Sequence, residues 1–226
     1  METMLGNLFL LLASLAGALA ETGLDEKVFV FPRPSDTDYV LLKPSLEAPL
    51  QHFTVCLSFF TDLERSFSLF SAASPQHDNE ILVYFIAPNK YEVCVGGSCI
   101  AFRVPKITEE TSSRWETACA TWESTTGIVQ LWINGQPLPR KGVARGHSIP
   151  ANLVVMIGQE QDSFGGSLDA GQSFVGEMAE VYMWDTVVPP EQLRRIRRDT
   201  MPKPLVDWTA LKYEIKGYVV IEPTLQ

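Results

Sequence analysis

Apolar and polar residues alternate in short runs along almost the whole chain, and turn residues separate the runs. A two-residue period marks β-strands with one buried face. It predicts strands over 28–31, 39–42, 53–60, 66–72, 81–85, 90–95, 98–104, 116–122, 128–133, 153–157 and 174–184. A final pair, 210–215 and 218–221, is joined at Lys216-Gly217. Asn134-Gly135, following Val129, Leu131 and Ile133, is a hairpin signal because both positions of a type I′ turn need positive φ. More than ten strands at this spacing predict an all-β, two-sheet sandwich or jelly roll. One helix is expected over 189–199. Pro189-Pro190 opens it with Glu191 in the first turn, Leu193 and Ile196 pack one turn apart, and Pro202 and Pro204 follow. Arg194, Arg195, Arg197 and Arg198 occupy its other faces as a solvated basic surface.

The first twenty residues do not fit the strand pattern. An apolar run from Leu8 to Leu15 leads into Ala18-Leu19-Ala20, a secretory signal pattern, although no Lys or Arg precedes it. The run is shorter than the ~20 apolar residues of a spanning helix, so no membrane crossing is expected. Residues 1–20 are therefore expected to be a leader and 21–226 one secreted, extracellular domain. In an oxidising compartment the four cysteines, Cys56, Cys94, Cys99 and Cys119, point to disulfides, and four allow three pairings. No Asn-x-Ser/Thr sequon is present.

Charge adds a site. Net charge is −9, and no Lys or Arg lies between Gly146 and Leu193. That stretch holds Glu160, Asp162, Asp169, Glu177, Glu180, Asp185 and Glu191. Carboxylates without internal counter-charge repel one another unless a cation joins them, and such a surface makes nucleic acid an unsuited partner. The densest part is Gly158-Gln159-Glu160-Gln161-Asp162-Ser163-Phe164-Gly165-Gly166, with Asp169 and Gln172 beyond. Calcium takes six to eight hard oxygens and needs neither His nor Cys. The spacing is not that of an EF-hand loop.

Thr117-Ala118-Cys119-Ala120-Thr121-Trp122-Glu123-Ser124 resembles the pentraxin signature H-x-C-x-[ST]-W-x-[ST]. Phe53-Thr54-Val55-Cys56, Asp78-Asn79-Glu80-Ile81-Leu82, the 158–166 segment, Met183-Trp184-Asp185, and Trp208 followed by Ala210-Leu211-Lys212-Tyr213-Glu214 are also similar to the short pentraxins. Thr117 stands where the signature has His. The resemblance implies a flattened jelly roll with one helix, assembled as a cyclic homopentamer. It also implies a lectin-like, calcium-dependent pattern-recognition protein of innate immunity and the acute phase. Two Ca²⁺ ions per subunit would bind phosphate- or carboxylate-bearing ligands, such as phosphorylated head groups or carbohydrates. Complement and Fc receptors are the partners it implies on the opposite face.

Carried onto this chain, the resemblance gives the first ion Asp78, Asn79, Glu160, the Gln161 carbonyl and Asp162. The second would take Glu160, Asp162, Asp169 and Gln172. It also implies the Cys56–Cys119 bridge. In family members that bind phosphocholine, the choline rests on an aromatic residue and is balanced by a glutamate. The aromatic position here is Tyr84, which keeps a π face for a cation. The glutamate position is Cys99, with Cys94 as a neighbour on the same wall, which puts phosphocholine recognition by that geometry in doubt. In Cys94-Val95-Gly96-Gly97-Ser98-Cys99 the glycines form a two-residue turn. Cys94 then faces Cys99 across a non-hydrogen-bonded pair, close enough for a second disulfide.

An enzyme is not expected. Glu160-Gln161-Asp162 is similar to the start of the E-x-D-x-x-E strand of jelly-roll glycoside hydrolases, but Gly165 takes the place of the third carboxylate. A structural or transport role, with calcium only stabilising the fold, is the remaining alternative. His52, His77 and His147 have no nucleophile pattern around them and read as surface or structural residues.

Overall fold

A computed structural model describes residues 23–105, 115–193 and 201–224. The expected leader, the helix beyond Leu193 and its four arginines lie outside the described residues. The strands are β1 (Lys27–Phe31), β2 (Tyr39–Leu42), β3 (His52–Phe60), β4 (Phe67–Ala73), β5 (Ile81–Ile86), β6 (Lys90–Val95) and β7 (Ser98–Arg103). They continue with β8 (Glu116–Glu123), β9 (Ile128–Ile133), β10 (Gln136–Pro137), β11 (Lys141–Gly142) and β12 (Val154–Ile157). Last come β13 (Gly176–Trp184), β14 (Tyr213–Lys216) and β15 (Val220–Pro223). The described part of the helix is α1 (Pro190–Leu193), with Leu193 buried.

The described strands form two antiparallel sheets, as the alternation predicts. One runs β10-β9-β8-β3-β13-β1-β15, with β11 also on β9, and the other runs β14-β2-β12-β4-β5-β6-β7. The sheets meet through aromatic rings. Phe29 lies 5.3 Å from Trp208 and 5.2 Å from Tyr213, Phe59 lies 6.0 Å from Phe67, and Phe174 packs edge-on to Phe31, Phe59 and Phe67. Edge-to-face packing suits the quadrupoles of rings brought together without water. The Asn134-Gly135 turn joins β9 to β10 as predicted.

The structure adds two points. Lys216-Gly217 does join the last two strands, but they do not pair with each other: β14 pairs β2 in one sheet and β15 pairs β1 in the other, so Gly217 is a crossing between sheets. The strands β10 and β11 are new, because two residues cannot display a period. No helix among the described residues is long and apolar enough to cross a membrane.

Asp38 ties that crossing to the rest. Its buried carboxylate accepts from Arg33 Nε at 2.8 Å and from the Tyr218 N–H at 2.9 Å. The hydrogen bond from Arg33 holds the Asp38 carboxyl below the usual carboxylate range, against burial, with the Tyr218 N–H assisting. A carboxyl with a depressed native value stabilises the fold above its unfolded value of about 3.9 and loses that contribution as pH falls through the native value. Asp38→Asn is therefore expected to unfold at lower urea concentration than wild type at neutral pH. In urea titrations repeated toward pH 2, the gap between the two proteins should close. A pH-independent gap would show that the charge on Asp38 is not what matters.

Candidate functional site

The site stands on the outer face of the β5–β6–β7 corner. Ile81, Val83 and Phe85 face inward with their partners Val95, Val93 and Tyr91, and Ile100 and Phe102 continue the layer. Alternation then sends Leu82, Tyr84, Glu92, Cys94, Cys99 and Ala101 to the opposite face. Across this face lies the loop between β12 and β13, which carries Glu160, Asp162, Asp169 and Gln172. The turn between β4 and β5 brings Asp78 and Asn79.

Neutral hydrogen bonds shape the loop. Gly158, at φ +90°, turns the chain out of β12, and a Cβ there would run into the Phe31 ring. The fully buried Gln159 amide donates to the carbonyls of Ser35 and Asp38. The Gln161 main-chain N–H donates to Ser71 Oγ at 3.2 Å, and its side chain donates to the carbonyls of Ser71 and Val154. Gln161 Oε1 accepts from the Gly165 N–H at 3.0 Å. With that amide committed, any cation ligand from Gln161 is its main-chain carbonyl. Further along, Ser68 N–H donates to the Gln172 carbonyl at 2.9 Å and Arg65 Nη1 to the Gly171 carbonyl at 3.1 Å.

The electrostatics show that the acidic residues share one region. Burial pushes the Glu160 carboxyl up to about 7, with the charges of Asp162, Glu92 and Asp78 adding to it and a hydrogen bond from Asn79 opposing. Asp162 is raised as well, first by burial, then by Asp78 and Asp169. Burial, then Glu160, pushes Tyr84 up to about 12, Arg65 pulling the other way. No three of these carboxylates have ligand oxygens within 4.8 Å of one another, a spacing consistent with mutual repulsion.

A calcium ion fits this donor set on a separate observation. Asn79 Oδ1 and Gln172 Oε1 are buried and accept no hydrogen bond. Buried amide oxygens left unpaired cost free energy that a hard cation would recover. Asp78, Asn79, Glu160, Asp162 and Asp169 lie near enough to perturb one another, and the Gln161 carbonyl and the Gln172 amide are the further oxygens that would complete such a set. The ion would supply a positive charge to which anionic ligand oxygens could add.

Both disulfides predicted from the sequence are formed. Cys56–Cys119 joins directly paired residues of β3 and β8, 63 residues apart, with 4.1 Å between Cα atoms. Loop closure of that length contributes roughly 4 kcal/mol, against roughly 2 for the five-residue separation of Cys94–Cys99. The smaller bridge therefore matters more for local shape. It closes the β6–β7 hairpin, whose turn glycines stand at φ 55° and 74°. Those glycines reach the turn that bears Asp78 and Asn79: Gly97 N–H donates to the Asn79 carbonyl and Gly96 N–H to the Glu80 carbonyl, both at 3.0 Å. Glu80, fully buried, is held by Ser74 Oγ and His147 Nε2, which gives His147 the structural role expected of it.

The sequence reading missed Glu92. It pairs directly with Tyr84 across β5 and β6, and its carboxylate comes within 4.8 Å of both Cys94 and Cys99 sulfurs. With those sulfurs tied to each other, Glu92 is the acidic group of this wall. An anion therefore stands beside Tyr84 although Cys99 replaced the expected glutamate. The signal was the register of the 90–95 strand on 81–85, which would have set residue 92 against 84.

A family model, the Pentaxin family, matches residues 27–223. Rat serum amyloid P-component is 46% identical over 212 residues, covering 93% of this chain and 91% of that protein. Human C-reactive protein is 43% identical over 220 residues, covering 96% of each. A heptameric serum amyloid P-like pentraxin of Limulus polyphemus superposes with a TM-score of 0.78 at 22% identity, over 89% of this chain and 97% of that one. The chain belongs to the pentraxin family. Its jelly-roll sandwich and the Cys56–Cys119 bridge accord with that membership.

Because the bridged hairpin donates to the carbonyl of Asn79, opening the bridge should loosen the turn that bears Asn79, and with it any cation held there. The double variant Cys94→Ala/Cys99→Ala is expected to bind calcium about tenfold more weakly while remaining folded through Cys56–Cys119. Calcium-titrated thermal unfolding reads this directly. Unchanged affinity would mean that the turn holds itself.

Proposed function

We propose that this chain is a secreted, calcium-dependent pattern-recognition protein that binds phosphate- or carboxylate-bearing ligands through a two-calcium site. Asp78, Asn79, Glu160, the Gln161 carbonyl and Asp162 would hold one ion, and Glu160, Asp162, Asp169 and Gln172 the other. The observation that carries the reading is the pair of buried, unpartnered oxygens, Asn79 Oδ1 and Gln172 Oε1, beside carboxylates raised by burial and mutual repulsion. Binding rather than catalysis is the role this donor set suits, since it pairs carboxylate with amide oxygens and Gly165 stands in place of the third carboxylate of the glycosidase strand.

Tyr84 and Glu92 extend the site. An aromatic face and a carboxylate side by side suit a cationic group, so a ligand with phosphate at one end and an ammonium group at the other would engage both parts. This returns phosphocholine and phosphoethanolamine to the candidates through Glu92. Assembly into a ring is the quaternary state we propose, supported by family membership and by the heptameric Limulus relative. Repetition of the site on one face would convert weak single-site binding into avidity. The leader at 1–20, a mature chain from residue 21, and contacts with complement or Fc receptors belong to the same reading.

The test is retention of the protein on immobilised phosphocholine and phosphoethanolamine in ~millimolar calcium, with elution by chelator. Glu160→Gln removes a charge shared by both proposed ions and should abolish retention without loss of the far-ultraviolet β signal. Glu92→Gln should weaken retention about fivefold, the scale of one exposed cation contact, and leave calcium-dependent melting unchanged. Passage of wild type through both resins, with melting still calcium-dependent, would favour calcium as a purely structural element.

A further inference from the structure

One aromatic side chain on the site loop takes no part in the ligand set. Phe164 is 44% exposed, two residues beyond Asp162, so its Cα lies no more than about 7.6 Å from that of the proposed ligand. The ring is carried on a braced turn. Gly165 N–H donates to the buried Gln161 amide, Gly166 N–H donates to the Ser163 carbonyl at 3.2 Å, and Ser163 Oγ meets Ser167 Oγ at 3.0 Å. The segment Ser163-Phe164-Gly165-Gly166-Ser167-Leu168 contains no charged residue, in a region rich in carboxylates.

Two other exposed rings have visible neighbours. Phe60 lies 6.0 Å from Trp115, and the Tyr218 ring lies under the Arg33 guanidinium at 5.6 Å. Phe164 instead tops a neutral turn beside a site suited to phosphate. In a bilayer, lipid phosphates lie just outside the acyl boundary, and interfacial aromatic groups bury into the layer beneath them. A phosphate held at the ions would set this turn against the head-group layer, and a small uncharged turn enters it at little desolvation cost.

We propose that Phe164 is a wedge that enters the head-group layer of a phospholipid bilayer while the adjoining site holds lipid phosphate. The inference rests on the proposed calcium-dependent binding of phosphate and adds the partner, a bilayer surface rather than a free phosphate or a glycan. Without calcium the surrounding carboxylates repel lipid phosphate, so the ring inserts only in the cation-loaded state.

The experiment compares wild type, Phe164→Ala and Phe164→Leu on vesicles of equal parts phosphatidylcholine and phosphatidylethanolamine. In parallel, soluble O-phosphoethanolamine binding is measured by calorimetry, both in ~millimolar calcium. Phe164→Ala is expected to lose about tenfold in vesicle affinity with unchanged affinity for the soluble ligand, and Phe164→Leu to recover most of the loss. In Phe164→Trp, brominated lipids should quench added fluorescence only with calcium present. Equal vesicle binding by wild type and Phe164→Ala would overturn the wedge, as would an equal loss on vesicle and soluble ligand. Wild type that binds the soluble ligand but no vesicle would overturn the wedge alone. Wild type that binds neither would overturn the phosphate-binding reading, and the wedge with it.

Discussion

A strand with one buried face has no choice about its other face. Burying Ile81, Val83 and Phe85 in the sandwich obliges Leu82 and Tyr84 to stand outside, and antiparallel pairing then fixes Glu92, Cys94, Cys99 and Ala101 beside them. A slip of one residue would bury Glu92 and expose Val93, at the cost of an unpaired charge in an apolar layer. The hydrophobic core and the wall of the site are thus set by one register.

The opposite wall obeys a different rule. Carboxylates gathered on one face oppose folding, and the chain keeps them there with anchors that carry no charge. Gln159 and Gln161 fasten the loop from below through amide hydrogen bonds to Ser35, Asp38, Ser71 and Val154. A lysine or arginine in either place would neutralise the acids and compete with any cation. Because the anchors are neutral, the loop holds its shape while Glu160 stays raised to about 7.

Much of this was legible in the sequence where the physics is local. The Cys94–Cys99 bridge followed from two glycines in a two-residue turn, since pairing next to such a turn leaves no freedom. Strand positions followed from alternation over four or more residues. The short strands β10 and β11 carried no such signal. The separate sheets of the last two strands were not legible, because their partners β2 and β1, and Asp38 which accepts from the Tyr218 N–H, lie about 180 residues away. Glu92 escaped notice for a related reason. Its importance comes from its neighbour on another strand, and position-by-position likeness to a family draws attention to the places where the family has its residues.

The β6–β7 hairpin is fastened at both ends, by its own disulfide and by the hydrogen bonds of Gly96 and Gly97 to the turn that bears Asn79. The oxygens proposed to hold cations, in contrast, come from the loop after β12 and the turn after β4. The part that would choose a ligand is therefore a separate cassette from the part that would grip it. Residue 92 can change through evolution or design, exchanging one head group for another, whereas a change at 94 or 99 opens the bridge and is felt at the turn that bears Asn79.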